Sequence, residues 1–254
     1  MHSARSLGIG LAATLCLLTG VVAQRGRGRS EAILERVSCY LSTAKLPAAV
    51  QGQDRLLNIP LVADAKSKKE LALLYLYDSS ADAPKRETFE TVMFTNEEVG
   101  VATRCFHFAR VDLAGETELL AKYGHRLPVF VAFDAAGKLS ADVAFTGYRA
   151  AVGPLITLLE KASAGHVKPA IATFTSEYRS LVHDFEVLEG KRKAVQDRMA
   201  RTPDDKKRVP LQKELDETDA EQKKLEAKEK VLLENAKVPV RAPGAKRFEV
   251  KGGR

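Results

Sequence analysis

The chain has 254 residues, 45% hydrophobic and 29% charged, with 10 Phe, 6 Tyr and no Trp, a balance that excludes a disordered chain and suits one modest core with a polar extension. Its formal charge of +7 is the small difference between 40 basic and 33 acidic residues. That is an intermixed, solvated surface, not the one-sided basic footprint of a nucleic-acid partner.

Residues 2–23, HSARSLGIGLAATLCLLTGVVA, begin with a short basic stretch, continue as an apolar run from Leu7 and end on Val21, Val22 and Ala23. This is the pattern of an export signal, so residues 1–23 are read as a signal peptide cleaved after Ala23, with the mature chain secreted or periplasmic. The run is short for a bilayer span and is interrupted by Gly8, Gly10, Thr14 and Gly20, which weighs against an uncleaved anchor. Cys16 lies too early, behind Leu15, for lipid attachment. Membrane contact is expected only through this segment. RGRGR at 25–29 reads as a flexible basic spacer, with an anionic polymer as the alternative contact.

Ser30 ahead of EAILERVSCYLSTA predicts an N-capped helix with Ile33, Val37, Tyr40, Leu41 and Ala44 on one face and Cys39 on the other. Residues 24–55 are thus a basic linker and an N-terminal helix, ended near Pro47. LLNIPLVADA at 56–65 stays open between strand and loop. From Leu71, LALLYLYD is a continuous apolar run of strand length, and the turn cluster DSSADAP supplies Asp82 and Pro84 to open a helix. That helix carries Phe89, Val92, Met93, Val99 and Val101 on one side, with a break near Thr95-Asn96 where a second short helix is capped. FHFARVDL at 106–113 is the next strand, GETELLAKYG at 115–124 a short helix closed by Gly124, and PVFVAFDA at 128–135 a third strand. LSADVAFTG at 139–147 follows after a tight turn and is antiparallel to it. The helix RAAVGPLITLLEKASAG turns Leu155, Leu158 and Leu159 inward. This order predicts an α/β fold, a mixed sheet with helices on both faces.

Beyond Gly165 the composition becomes charged and helix-favouring. Tyr178, Leu181, Phe185, Leu188, Arg192, Val195 and Met199 repeat at steps of three and four, as do Leu211, Leu215, Thr218, Gln222, Leu225, Glu229 and Leu232. RTPDDKKRVP between the stripes offers a cap at Thr202 and prolines at 203 and 210, so residues 170–236 fold back as an antiparallel coiled-coil hairpin in which Arg192 faces Thr218 and Asp219. Residues 237–254 lack any period and read as a flexible tail.

The element order, together with Tyr123-Gly124, Arg126, Pro128, Phe130, Phe133, Asp134, Gly137 and Lys138 in KYGHRLPVFVAFDAAGKL, resembles the thioredoxin family over about residues 56–163, and the domain is placed at 56–165. The resemblance implies a cis Leu127-Pro128 bond that turns the chain into its strand; three residues separate Gly124 from Pro128, where family members often have four. It also implies that the chemistry, a Trp-Cys-x-x-Cys-Lys motif at a helix N-terminus, belongs after the first core strand. The matching residues are Ser80-Ala81-Asp82-Ala83-Pro84-Lys85, so Ala81 and Pro84 stand where the cysteines would be and the dithiol motif is vacant. Dithiol oxidoreductase activity is not expected, nor is a cofactor. What the resemblance leaves is a binding groove formed by His125, Leu127, Pro128 and Asp82, although His125 also reads as a surface-loop residue. Asp78, ending a strand beside the vacant motif, is read as a helix cap.

Cys39 and Cys105 admit three readings: a structural disulfide, two inert thiols, or one redox-active thiol. His107, His125, His166 and His183 lack the spacing of a zinc site, and no metal is expected. The favoured function is a secreted or periplasmic, non-redox, thioredoxin-like protein that binds or scaffolds a protein partner through the proline groove or the coiled coil, with a homo-oligomer as one form of that association. The rival is a thiol-disulfide accessory working through Cys39 or Cys105 alone.

Overall fold

The computed structural model describes residues 28–51 and 53–250. Residues 1–23, expected to be a signal peptide, with the expected cleavage site, Cys16 and most of the RGRGR stretch lie outside the described residues. The sheet is built on β2 (Leu71–Tyr77), whose alternate side chains enter two cores. Leu71, Leu73 and Tyr75 join one, Ala72, Leu74 and Leu76 the other, which is why the run has no polar face to spare. β3 (Phe106–Asp112) pairs parallel to β2 with Leu71 opposite Phe106. β4 (Val129–Phe133) pairs antiparallel on its other side with Leu76 opposite Val129, and β5 (Leu139–Ala144) follows antiparallel to β4. The tight turn between β4 and β5 is held by Asp134 Oδ1, which accepts from Ala136 and Lys138 N–H, and needs the left-handed φ of +72° at Gly137.

The N-terminal segment differs from the single helix expected over residues 31–44. Helix α1 (Glu31–Val37) is capped by Ser30, but Ser38 is extended and residues 40–44 form β1 (Tyr40–Ala44), parallel to β3. The helical face of YLSTA is a coincidence of spacing, overridden by an open edge on β3 that only a strand can satisfy. Cys39 accordingly lies in the core, not on a polar face. The sheet thus starts at residue 40, upstream of the boundary expected at 56. The ambiguous segment 56–65 contributes α2 (Pro60–Lys68), started by Pro60 and burying Val62 and Ala65.

Helices α3 (Ala83–Phe94) and α4 (Glu97–Ala102) are separated where expected, by Asn96, whose side chain accepts from Glu98 and Val99 N–H. The buried face of α3 is rotated from the expected one: Val92 is exposed, and Glu90 and Phe94 point inward with Phe89 and Met93. α5 (Thr117–Tyr123) leads through a short 3-10 turn at Gly124–Arg126 into a cis Leu127–Pro128 bond and β4. α6 (Val152–Ser163) buries Leu155, Leu158 and Leu159. The strand order is β5-β4-β2-β3-β1 with a short β6 (Lys246–Arg247) beyond β1. α3, α4 and α6 lie on one side of the sheet and α2 and α5 on the other, a thioredoxin-like arrangement.

The last two helices, α7 (Ile171–Ala200) and α8 (Asp205–Asn235), form an antiparallel hairpin. Asp204, not Thr202, caps α8; Thr202 donates back to the carbonyl of Arg198 and closes α7. Arg192 meets Asp219 at 3.0 Å and donates to Gln222. The base of α7 belongs to the globular core: Phe174, Tyr178, Val182 and Phe185 are buried in the cluster that holds Tyr75 and Phe130. Part of the tail expected to be flexible packs against the sheet at Lys246–Arg247. Phe248 N–H donates to the carbonyl of Cys39, its ring packs edge-on against Phe94, and β6 covers the start of β1.

Candidate functional site

The register that sets Val129 opposite Leu76 puts Pro128 beside Tyr77, at the end of β2 where the vacant motif begins. Here the chain leaves β2 through a turn in which Asp78 Oδ1 accepts from the N–H and hydroxyl of Ser80 at 2.8 and 2.6 Å. Asp78 therefore closes the turn and does not cap the helix. The cap is Asp82, whose carboxylate accepts from Lys85 N–H at 3.1 Å and pairs with Lys85 Nζ at 2.7 Å. The hydrogen bond from Lys85 holds the Asp82 carboxyl below the usual carboxylate range, helped by the Lys85 amide.

This has a direct chemical consequence. A helix N-terminus lowers the pKa of a thiol because its free N–H groups and dipole favour negative charge. In this chain that favourable position already holds a carboxylate, and Ala81 and Pro84 carry no atom able to attack sulfur.

Leu127, Pro128 and Asp82 thus lie along one end of the sheet, Leu127 and Pro128 buried and Asp82 exposed. His125 is exposed on the preceding 3-10 turn, consistent with a surface-loop residue. Beneath them is a polar group that the sequence did not single out. Tyr75 donates to Glu90 Oε1 at 3.2 Å, Arg86 Nε lies 3.9 Å from the same oxygen, and the Arg86 guanidinium sits 5.6 Å from the centre of the Tyr77 ring. Burial pushes the Glu90 carboxyl up, against the opposing pull of Tyr75 and Arg86. The Tyr148 ring packs on Phe89 and its hydroxyl is buried without a hydrogen-bond partner. The signal available in the sequence was the i, i+4 spacing of Arg86 and Glu90 on a helix face shared with Arg86's neighbours toward Tyr75; a lone Glu90 in an apolar stripe gave no reason to place it inside.

The two cysteines are elsewhere. Cys39 and Cys105 are free thiols, both buried in the core. Burial pushes each thiol up to about 12, although Thr103 beside Cys39 and Arg104 beside Cys105 pull the other way. A thiol in that state presents no thiolate to a substrate at neutral pH. Among the described residues no group of three or more His, Cys, Asp or Glu is placed to hold a metal ion, and no helix is long and apolar enough to cross a membrane.

No family model matches the chain, and no curated protein matches it. Among solved structures it is similar to a chain described as DsbH oxidoreductase, at 15% identity and a TM-score of 0.33, with 57% of this chain and 99% of that one covered. The assignment of a thioredoxin-like fold rests on the order and directions of the strands.

Proposed function

We propose that the chain is an exported, non-redox binding protein, in which a thioredoxin-like frame without its dithiol holds a protein partner at the end of β2 and β4 and the helical hairpin serves association. The observation that carries this reading is the state of the catalytic position: Ala81 and Pro84 replace the thiols, and the Asp82 carboxylate fills the helix N-terminus that would have activated one. What remains is a set of shapes and polar groups suited to contact: Tyr77 level with Pro128, the Tyr148 ring on Phe89, and Asp82, Lys85 and Arg86 at the start of α3.

The test uses the full chain in two measurements. Titration with an unfolded polypeptide lacking cysteine is expected to move amide signals at Tyr77–Ala81, Leu127 and Val129. Insulin-disulfide reduction is expected to stay at the level of the Cys39→Ala/Cys105→Ala variant. Turnover that disappears in that variant overturns the proposal and supports the thiol-disulfide rival.

A further inference from the structure

The end of the sheet away from the vacant motif carries a hollow that the binding reading does not use. β2 and β3 both begin there, so Lys69 and Glu70 lead into β2 and Arg104 into β3. The hollow measures about 690 Å³ and is lined also by His166, just after α6, and by the end of α8 and the chain that follows it. Small-molecule sites are of this size, roughly 300–1,000 Å³. Leu233, Val238 and Pro239 give it an apolar wall.

Its charges do not balance. Lys68, Lys69, Arg104 and Lys237 line it, against the carboxylates of Glu70 and Glu234. Each carboxylate is engaged elsewhere: Glu70 meets His107 Nε2 at 2.5 Å, and Glu234 meets Lys230 at 3.9 Å. Lys68 is paired with Asp64 at 2.8 Å. Among the described residues Lys69, Arg104 and Lys237 pair with no carboxylate. Arg104 is nevertheless held in place, since Nη1 donates to the Arg36 carbonyl at 2.8 Å and the guanidinium lies 4.9 Å from the centre of the Tyr178 ring.

The two lysines also sit on unfavourable backbone. Lys69, at the end of α2, has a φ of +59°, and Lys237, after α8, a φ of +51°. Elsewhere the described chain meets this left-handed requirement with five glycines, and Tyr148 is the one other exception. Glycine closes a helix end of this kind without strain, and a larger residue there works against folding. The helix dipole gives little reason for Lys69, because the last turn of α2 already contains Lys66 and Lys68. Two strained lysines and an arginine with no carboxylate thus converge on one hollow.

We propose that this hollow binds a phosphate-bearing organic ligand, with the oxyanion among Lys69, Arg104 and Lys237 and the organic part on Leu233, Val238 and Pro239. A phosphate group brings more than one negative charge and three strong acceptor oxygens, which a lone carboxylate does not. A soluble phosphate ester and a phospholipid headgroup offer the same chemistry. His166 reports on the site: its imidazole is pushed down from the ordinary value by burial and by Lys237, with Glu70 pulling the other way. An oxyanion beside Lys237 favours the charged imidazole.

Inorganic pyrophosphate is the first probe, titrated into the full chain at low ionic strength. Saturable binding with a Kd on the order of 0.1–1 mM is expected from a few partly exposed charge contacts, and added salt should weaken it. At saturation the NMR titration midpoint of His166 should rise by about half a pH unit or more, with that of exposed His183 unchanged. Lys69→Gly/Lys237→Gly should weaken binding at least about tenfold and yet melt no lower than the parent, since glycine relieves both backbones. A merely structural role for the lysines predicts the reverse: lower melting and unchanged binding. Displacement of pyrophosphate by glycerol 3-phosphate assigns the ligand to soluble esters; displacement only by phosphatidylcholine vesicles containing phosphatidylglycerol assigns it to headgroups. The proposal is overturned by an absence of saturable binding, by binding or a His166 midpoint that does not respond as stated, by a double variant that melts below the parent, or by displacement with neither competitor. The hollow and the vacant motif lie at opposite ends of β2, so these outcomes are separable from those of the partner-binding test.

Discussion

Replacing Glu229 by alanine should loosen the hairpin from the globular core, and the size of the effect follows from what that carboxylate holds. Glu229 on α8 accepts from Arg36 of α1 through three contacts of 3.0 to 3.1 Å and from the Tyr178 hydroxyl of α7 at 2.5 Å. The pair is mostly out of water, with side-chain exposures of 14% for Glu229 and 19% for Arg36. Burial pushes the Tyr178 phenol up, so it stays a donor at neutral pH. Removing the acceptor leaves a guanidinium and a phenol without partners. Loss of one partner of a buried pair costs about 3–5 kcal/mol. Arg36 keeps some solvent and its seat 4.1 Å over the Phe185 ring, which lowers the expectation for Glu229→Ala to about 2–3 kcal/mol. Glu229→Gln retains one acceptor and should lose about half as much. Urea denaturation at neutral pH measures the difference, and hydrogen exchange should show faster opening of residues 225–235. The double replacement Arg36→Met/Glu229→Met should cost less than Glu229→Ala, because the charged guanidinium is then not stranded and only the Tyr178 hydroxyl loses its acceptor. A Glu229→Ala variant within about 0.5 kcal/mol of the parent, with unchanged exchange in α8, would refute the reasoning.

Two further expectations concern stability. Gly100→Ala and Gly190→Ala are the same change in helices α4 and α7, yet their effects should differ in sign: a methyl at residue 100 would lie 2.0 Å from the Val37 carbonyl oxygen, whereas residue 190 has nothing within 4 Å. Thermal melts should show Gly100→Ala destabilised by about 2 kcal/mol after the gain in helix propensity, and Gly190→Ala stabilised by about 0.5–1 kcal/mol. In alkali, the folded thiols of Cys39 and Cys105 ionise only near 12 and unfolded ones near 9.0. Above pH 9 the unfolded state therefore releases protons first, and stability should fall by about 1.4 kcal/mol per thiol for each pH unit up to about 12. Comparing denaturation at pH 8 and 10.5 with the Cys39→Ala/Cys105→Ala variant isolates that share; equal slopes in the two proteins would contradict it.

The elements that could be read in advance share one property: their signal is local. LALLYLYD could only be a strand buried on both faces, Asn96 and Asp82 mark helix starts through their own side chains, and the Asp134–Lys138 turn closes on itself. The vacant motif was equally legible, because the absence of sulfur at Ala81 and Pro84 needs no neighbours to be seen. The edge strands were not legible in this way. YLSTA has helical spacing, and it extends only because β3 offers an unpaired edge more than sixty residues later in the chain. The tail at 246–247 is a strand for the same reason, paired with a segment at the opposite end of the sequence.

Glu90 and Glu229 show the same limit at the level of side chains. Each interrupts an apolar stripe, and a stripe cannot say whether its polar member faces water or a buried partner. Tyr75 and Arg86 answer for the first, Arg36 and Tyr178 for the second. The sequence by itself determined the α/β order, the missing sulfur and the existence of a hairpin, since these depend on residue type and short spacing. The tertiary structure decided which segments close the sheet edges, which charges are buried and how the hairpin meets the core, because hydrogen-bond satisfaction and desolvation are settled by partners distant in the chain.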